Sequence, residues 1–333
     1  MESVFATEFS ATFKSLPASI IEMTRFYVFL YRVYFAAKDI GLRSRLRQRP
    51  WVEHWLRRLK ALIEHRALPH ADVWVQVQAG LSRGLWMRLR LPEETRHWRG
   101  EHETQVQDAI CAVVRAGAVV YDIGSHVGTI ALGTARLVGP LGRVVAFEGD
   151  PDNAATLRES SLRNHLEGCL EVVDRAAWSY TASHGIPFRR GGTRRSQGGV
   201  EVNGQRPVIG TGEIIMVPAV TLDDFLAAGG PSPQLVKIDV EGGEYEVLHG
   251  GTNLFQNQRP LIIAEVHRDQ AAKQIDTWLE QYRYCAQWKI PKENFPRCLF
   301  AWPMEYDGVA WMRDSVGACR SRRVKYSSQI TCS

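Results

Sequence analysis

The chain has 333 residues, of which 45% are hydrophobic, enough to bury one large core and a small accessory domain. Its formal net charge of +5 is too modest to mark a genome-binding module, which concentrates Lys and Arg on one face. Six cysteines, at 111, 169, 285, 298, 319 and 332, show no C-x-x-C pair or other zinc spacing, so the expectation is reduced thiols in an intracellular, cytoplasmic protein and no metal site.

Residues 1–72 read as an N-terminal helical segment. Within it "IIEMTRFYVFLYRVYFAAK" is interrupted by Glu22, Arg25 and Arg32, so it is too short an apolar run for a membrane span of about 20 residues, and it lacks the plan of a secretory signal. Two readings stay open: a helix packed on the rest of the protein, which is preferred, or an amphipathic helix making peripheral contact with a membrane or partner, helped by "RSRLRQR". Residues 73–97 read as a β-hairpin leading into the core, because "VWVQVQAGLSRGLWMRLRL" alternates apolar and polar residues around a glycine turn. "ETQVQDAICAVVRAG" is helical, with Gly117 as the expected C-cap.

The core is expected over 98–290. "AVVYDIG" reads as a buried parallel strand ending at Asp122, and Gly124 and Gly128 allow a tight turn into the helix "TIALGTARLV". "GRVVAF" is the second strand, with Glu148 where an acidic side chain of a doubly wound fold accepts hydrogen bonds from ribose hydroxyls. Asp150 and Pro151 then suit the cap and first turn of "DNAATLRESSLRNH". The turn D-x-G-x-x-x-G lacks the G-x-G-x-x-G spacing that cradles a pyrophosphate. It suits an adenosine cofactor without phosphate, whose amino group faces a carboxylate: S-adenosylmethionine. "LEVVDRAAWS", "QLVKIDVEGGEYEVLHGG" and "RPLIIAEVH" supply further strands alternating with helices, which is the pattern of a mostly parallel, doubly wound α/β sheet. Residues 183–217, rich in Gly and Arg, read as a mobile connection or irregular strands. Arg189, Arg190, Arg194 and Arg195 either attract an anionic group or are solvated, and no interleaved aromatics make a nucleic-acid stacking platform. A helix "QAAKQIDTWLEQY" and the strand-like "YCAQWKI" and "RCLFAWP" complete the chain, with 291–333 as C-terminal strands and tail.

The motifs "GEHE", "VVYDIGSHVGTIAL", "ARLVGPLGRVVAFEGDP", "VTLDDFL", "LVKIDVEGGE" and "RPLIIAEVH", in this order over 98–268, resemble the FkbM-type family of S-adenosylmethionine-dependent methyltransferases. The resemblance implies a Rossmann-like class I methyltransferase fold and O-methylation of hydroxyls on sugars or polyketide-type small molecules. Carried over by motif, Asp122, Gly124 and Gly128 shape the methionine side of the cofactor pocket, Glu148 holds the ribose, and Glu103 helps close the site. The adenine lies near Asp174 to Ala176. Ser125 belongs to the same cofactor set, although Ser125-His126 stand where the family often has Ala-Asn, and Gly149 where it has Pro. His126 either donates to the methionine carboxylate or caps the helix.

Methyl transfer to a hydroxyl needs alignment first, and then a base within hydrogen-bond reach. Asp239 and Glu241, spaced by two at the end of the fourth strand, point to one side if the strand continues through them. Their bland roles are pairing of Asp239 with Lys237 and capping of the next helix by Glu241. Glu265 and His267 end the fifth strand, with His267 either a fallback base or a rim histidine. The expected partner is a small-molecule or glycan acceptor, and the oligomeric state is open. The competing functions are a non-catalytic cofactor-binding or scaffolding protein and a nucleic-acid methyltransferase. The second would bind with strong salt dependence, and no N-P-P-Y-like acceptor motif follows the fourth strand.

Overall fold

Val119–Ile123, Arg143–Phe147, Leu235–Ile238 and Leu261–Val266 are short, mostly apolar runs rich in Val and Ile, the composition of strands buried on both faces. In the computed structural model, which describes residues 71–191, 198–200, 212–289 and 296–306, these runs lie side by side in a seven-stranded sheet. By contacts the chain divides into two compact units, residues 1–73 with 90–95 and residues 74–89 with 96–333. In the smaller unit the Arg90 N–H donates to Glu94 Oε2 and the Thr95 hydroxyl donates to Pro92 O. The expected N-terminal helical segment, Arg194, Arg195 and the C-terminal tail beyond 306 lie outside the described residues.

In chain order the elements are β1 (Ala71–Gln76), β2 (Trp86–Leu91), α1 (Thr95–Arg99), α2 (Thr104–Val113), β3 (Val119–Ile123), α3 (Thr129–Val138), β4 (Arg143–Phe147), α4 (Pro151–Arg163), β5 (Leu170–Val173), β6 (Ala176–Ala177), β7 (Ala182–Arg189), β8 (Gly199–Val200), β9 (Ile214–Val220), α5 (Leu222–Ala227), β10 (Leu235–Ile238), α6 (Glu244–Gly250), α7 (Thr252–Gln258), β11 (Leu261–Val266), α8 (Asp269–Gln281), β12 (Tyr284–Lys289) and β13 (Arg297–Pro303). The large sheet runs β12-β13-β11-β10-β3-β4-β5. Its five strands from β11 to β5 are parallel neighbours, while β13 is antiparallel to both strands beside it. The strand order reverses between β3 and β10, and in a doubly wound sheet the crevice beyond the strand ends at that point receives a ligand.

Tyr121, Ile123, Phe147, Val236, Ile238, Ile262 and Phe255 are buried on this sheet and its helices. Each such side chain contributes about 1.5–3 kcal/mol relative to exposure. Helix α4 begins where expected, because the Asp150 carboxylate accepts from the Asp152 N–H at 2.9 Å and Pro151 occupies the first turn.

Three expectations need correction. Gly117 does not cap α2, which ends when Val114 turns extended (ψ 136°); Gly117, with φ 82°, instead turns the chain into β3 and donates to Val138 O at 2.8 Å. The stretch 183–217 is not irregular throughout: β7 and β9 pair antiparallel within a four-stranded sheet β6-β9-β7-β8, built on Trp178, Ile186, Phe188 and Val217. Cys285 is disulfide-bonded, whereas Cys111, Cys169 and Cys298 are free thiols; spacing along the chain excludes local zinc motifs but is blind to cysteines that folding brings together. Among the described residues no helix is long and apolar enough to cross a membrane.

Candidate active site

The site begins where β3 and β10 end. The Asp239 N–H donates to Ile123 O at 2.9 Å, which draws the two chain ends so close that a Cβ on Gly124 (φ 77°) would stand 1.8 Å from Asp239 O. Only glycine fits there. Ser125 ties the turn to the end of β4: its N–H and its hydroxyl both donate to Phe147 O, at 3.1 and 3.0 Å. Gly128 (φ 90°) starts α3 against Leu157, whose Cδ1 a Cβ would approach to 2.1 Å.

Beyond β4, Glu148 is held from both sides. Its Oε2 accepts the His126 N–H at 2.7 Å and its Oε1 the Asp150 N–H at 2.9 Å. Burial pushes its carboxyl up to about 7, only partly countered by those two N–H groups. The Asn153 side chain also hydrogen-bonds to it. Glu148 faces an open cavity of about 780 Å³, solvent-facing space included, that reaches from Arg175–Ala177, Asn153 and Phe188 at one end to Glu103, His126, Lys237, Asp239 and Glu241 at the other.

At that far end charges crowd together. The Lys237 ammonium, with a side chain 3% exposed, stands 3.3 Å from Asp122 Oδ1, 3.5 Å from Glu103 Oε2 and 3.8 Å from Asp239 Oδ2. Burial alone would lower the Lys237 pKa, but Asp122, Glu103, Asp239 and Glu265 together hold it well above the ordinary range. Burial likewise opposes ionisation of Glu103, yet Lys237 and His102 outweigh it and hold the carboxyl down to about 2; His102 Nε2 lies 2.6 Å from Glu103 Oε1. Asp122 and Asp239 are pushed up, chiefly by burial. Glu241 is pushed up by burial to about 7, and Glu265 by burial and by Asp239 and Glu103 to about 8.

His267 sits behind this group. Its Nδ1 is 2.8 Å from the fully buried Glu244 Oε1, and its Nε2 points towards Glu241 Oε2 at 3.5 Å and Asp239 Oδ1 at 3.6 Å. Burial alone would lower its pKa, but the hydrogen bond to Glu244 and the charges of Asp239, Glu244 and Glu241 carry it up to about 10. It is therefore an imidazolium near neutrality, and it does not line the cavity.

Glu103, Gly124, Ser125, Glu148, Ala176, Asp239 and Glu241 thus meet around one cavity. Asp122 and Gly128 stand behind its wall, Asp122 against Lys237 and Gly128 against Leu157. Asp174 is not brought to it: its side chain, 58% exposed, is ion-paired at 3.1 Å with Arg158, and Arg175, Ala176 and Ala177 line that end instead. Strand β10 stops at Ile238, and Glu241 reaches the site through a left-handed backbone (φ 54°), not through strand alternation. Lys237, Glu244, His97 and His102 were not legible as site residues. Lys237 and Glu244 lie in "LVKIDVEGGE", which gave them no site role beyond the pairing of Lys237 with Asp239, whereas "HWRGEHE" held a signal in its crowding of His and Glu. His97 is fully buried, accepts or donates at Thr129 Oγ1 (2.7 Å), and is held well below its usual pKa by burial and by His102 and His126.

The mostly parallel sheet with this strand order is a Rossmann-like, doubly wound α/β fold with a carboxylate-lined cavity at its switch point. Residues 122–285 match the family model of the methyltransferase FkbM domain. It is 26% identical over 221 residues to the hexuronic acid methyltransferase AglP of Haloferax volcanii, covering 62% of this chain and 85% of that protein. The fold is also similar to the methyltransferase FkbM from Methylobacillus flagellatus KT, at a TM-score of 0.42 and 17% identity over 57% of this chain. The chain spans 45% of the length of that structure. A precorrin-6y C5,15-methyltransferase from Geobacter metallireducens GS-15 gives a TM-score of 0.39 and 15% identity, covering 60% of this chain and 89% of that one.

Proposed function

We propose that the chain is an S-adenosylmethionine-dependent O-methyltransferase whose acceptor is a hydroxyl of a sugar, free or within a glycan. The observation that carries this reading is the one cavity that joins Glu148, held by two backbone N–H groups, to the buried carboxylates Glu103, Asp239 and Glu241. S-adenosylmethionine carries an ammonium and a sulfonium, and when bound supplies an activated methyl group. Glu148 would hold its ribose, Arg175–Ala177 and Phe188 would flank its adenine, and Gly124 permits close approach of the backbone. Glu103, with Lys237 and Asp122 behind it, gives the methionine end its charge pattern.

The chain's own contribution to chemistry lies at Asp239 and Glu241. Both face the cavity, and Glu241, with a carboxyl near 7, is matched to taking a hydroxyl proton close to neutral pH. His267, already protonated, holds these carboxylates and is not itself the base. The relative named as a hexuronic acid methyltransferase supports a sugar acceptor. Calorimetry with S-adenosylhomocysteine and labelled methyl transfer to a panel of uronic acids and neutral sugars tests the proposal. Binding of the nucleoside together with methyl ester-free, alkali-stable labelling of a sugar is expected; binding without transfer to any sugar in the panel would reject the acceptor class, and no binding would reject the cofactor.

A further inference from the structure

His267 Nε2 faces both Asp239 Oδ1 and Glu241 Oε2, and the spacing does not suit hydrogen bonds. The separations of 3.6 and 3.5 Å lie outside the 2.7–3.2 Å range of N–H···O bonds. Asp239 Oδ1 and Glu241 Oε2 are buried without any hydrogen-bond partner, on side chains 10% and 6% exposed. Glu265 brings a third carboxylate, and one ligand atom each of Asp239, Glu265 and His267 lies within 4.8 Å of the others.

Such spacing is that of ligands around one ion. With bonds of about 2.0–2.2 Å, donors at the corners of a tetrahedron stand roughly 3.4 Å apart. The imidazole is also aimed as a ligand: Glu244, 0% exposed, takes Nδ1 at 2.8 Å, leaving Nε2 directed at the carboxylates, the outer-sphere pattern that orients and strengthens histidine ligands. Glu241 adopts its left-handed backbone, costly for a residue with a side chain, with its carboxylate pointed at the same place.

We propose that Asp239, Glu265 and His267, with Glu241 beside them, bind a first-row divalent cation where Asp239 and Glu241 line the cavity. One imidazole nitrogen among carboxylates suits Mn²⁺ or Zn²⁺ better than Mg²⁺ or Ca²⁺, which prefer all-oxygen shells. The cation replaces the proton on His267 Nε2 and offsets the excess of buried carboxylates. Its role towards an acceptor rests on the function proposed above: a hydroxyl coordinated there has a lowered pKa and passes its proton to Glu241. No such site was expected from the sequence, since Asp239 follows β10 and Glu265 lies in the adjacent parallel strand β11, aligned at Ile238 and Ala264, and the two share no local motif.

Mn²⁺ titrated into the chelator-stripped full chain tests the site, read by calorimetry and by electron paramagnetic resonance with spin-echo detection of ligand nitrogen. One Mn²⁺ per chain with modulation from a bound imidazole nitrogen is expected. His267→Gln and Asp239→Asn should weaken it at least 100-fold, and Glu244→Gln about 10–100-fold, with S-adenosylhomocysteine binding measured in parallel. Absence of stoichiometric Mn²⁺ in folded wild-type protein, absence of the nitrogen signal, or undiminished affinity in both ligand variants would overturn the proposal. Because the nucleoside titration is separate, Mn²⁺ binding without nucleoside binding would reject the methyltransferase reading and leave the cation site standing, and the converse would reject the site alone.

Discussion

The pH dependence of nucleoside binding follows from how Glu148 is held. Its carboxyl is buried and pushed up to about 7, so without ligand the neutral form is favoured over much of the acid range. A pKa raised on folding contributes stability that is fully present below the unfolded value and lost as pH rises through the folded one. In the apoprotein the Glu148 contribution is thus complete below about 4.5 and gone above about 7. Hydrogen bonds from two ribose hydroxyls favour the ionised form, so binding should release a proton. With a folded pKa near 7, the ionised fraction is about nine-tenths at pH 8 and about one-tenth at pH 6, and S-adenosylhomocysteine affinity should fall roughly tenfold between them. Calorimetry in two buffers of different ionisation enthalpy reads both the affinity and the released proton. Glu148→Gln should flatten this dependence and weaken binding at pH 8 by about 1.5–3 kcal/mol. An affinity independent of pH between 6 and 8, with no proton release, would refute the assignment of Glu148 to the ribose.

Other outcomes follow from the packing. Gly124→Val should abolish nucleoside binding, because even its Cβ would overlap Asp239 O at 1.8 Å; titration of the folded variant with S-adenosylhomocysteine checks it. Asp239→Asn and Glu241→Gln should each lower turnover about 100-fold or more while nucleoside affinity stays near wild type, read by steady-state methyl transfer and calorimetry. Lys237→Met removes the cation beside Asp122, Glu103 and Asp239 and should cost about 3–5 kcal/mol in urea unfolding. That loss should grow with pH as the stranded carboxylates ionise, and a constant loss from pH 5 to 8 would deny their coupling to Lys237.

What the sequence revealed followed from chain-local order. Strand, glycine turn, helix, strand and acid come within a few dozen residues, so Gly124, Ser125 and Glu148 were legible together. Asp174 was misplaced because its neighbours, not its own side chain, turn towards the cavity, and the side chain finds Arg158 across the surface. The role of Lys237 depends on strand register, which sets it beside Asp122 of β3; apolar periodicity says only that β10 is buried. Glu241 seemed to follow strand alternation from Asp239, yet the strand had ended, and a left-handed turn brought it to the same place. Glu244 was assigned no role, whereas its carboxylate holds His267 at Nδ1.

Arg190, which follows β7, grips Asp150: its Nη2 donates to Oδ1 at 3.0 Å and its Nε stands 2.9 Å from Oδ2. Asp150 also caps α4, and its N–H is one of the two that hold Glu148. A single residue therefore couples the small four-stranded sheet to the carboxylate facing the cavity. Coupling free energies are reciprocal: whatever steadies Glu148 also steadies β7, and whatever loosens β7 is paid back as weaker grip on the ligand. The amides of Ile186 and Phe188, far along the chain from Glu148, should accordingly exchange with deuterium more slowly when the cavity is filled, and Arg190→Ala should uncouple the two.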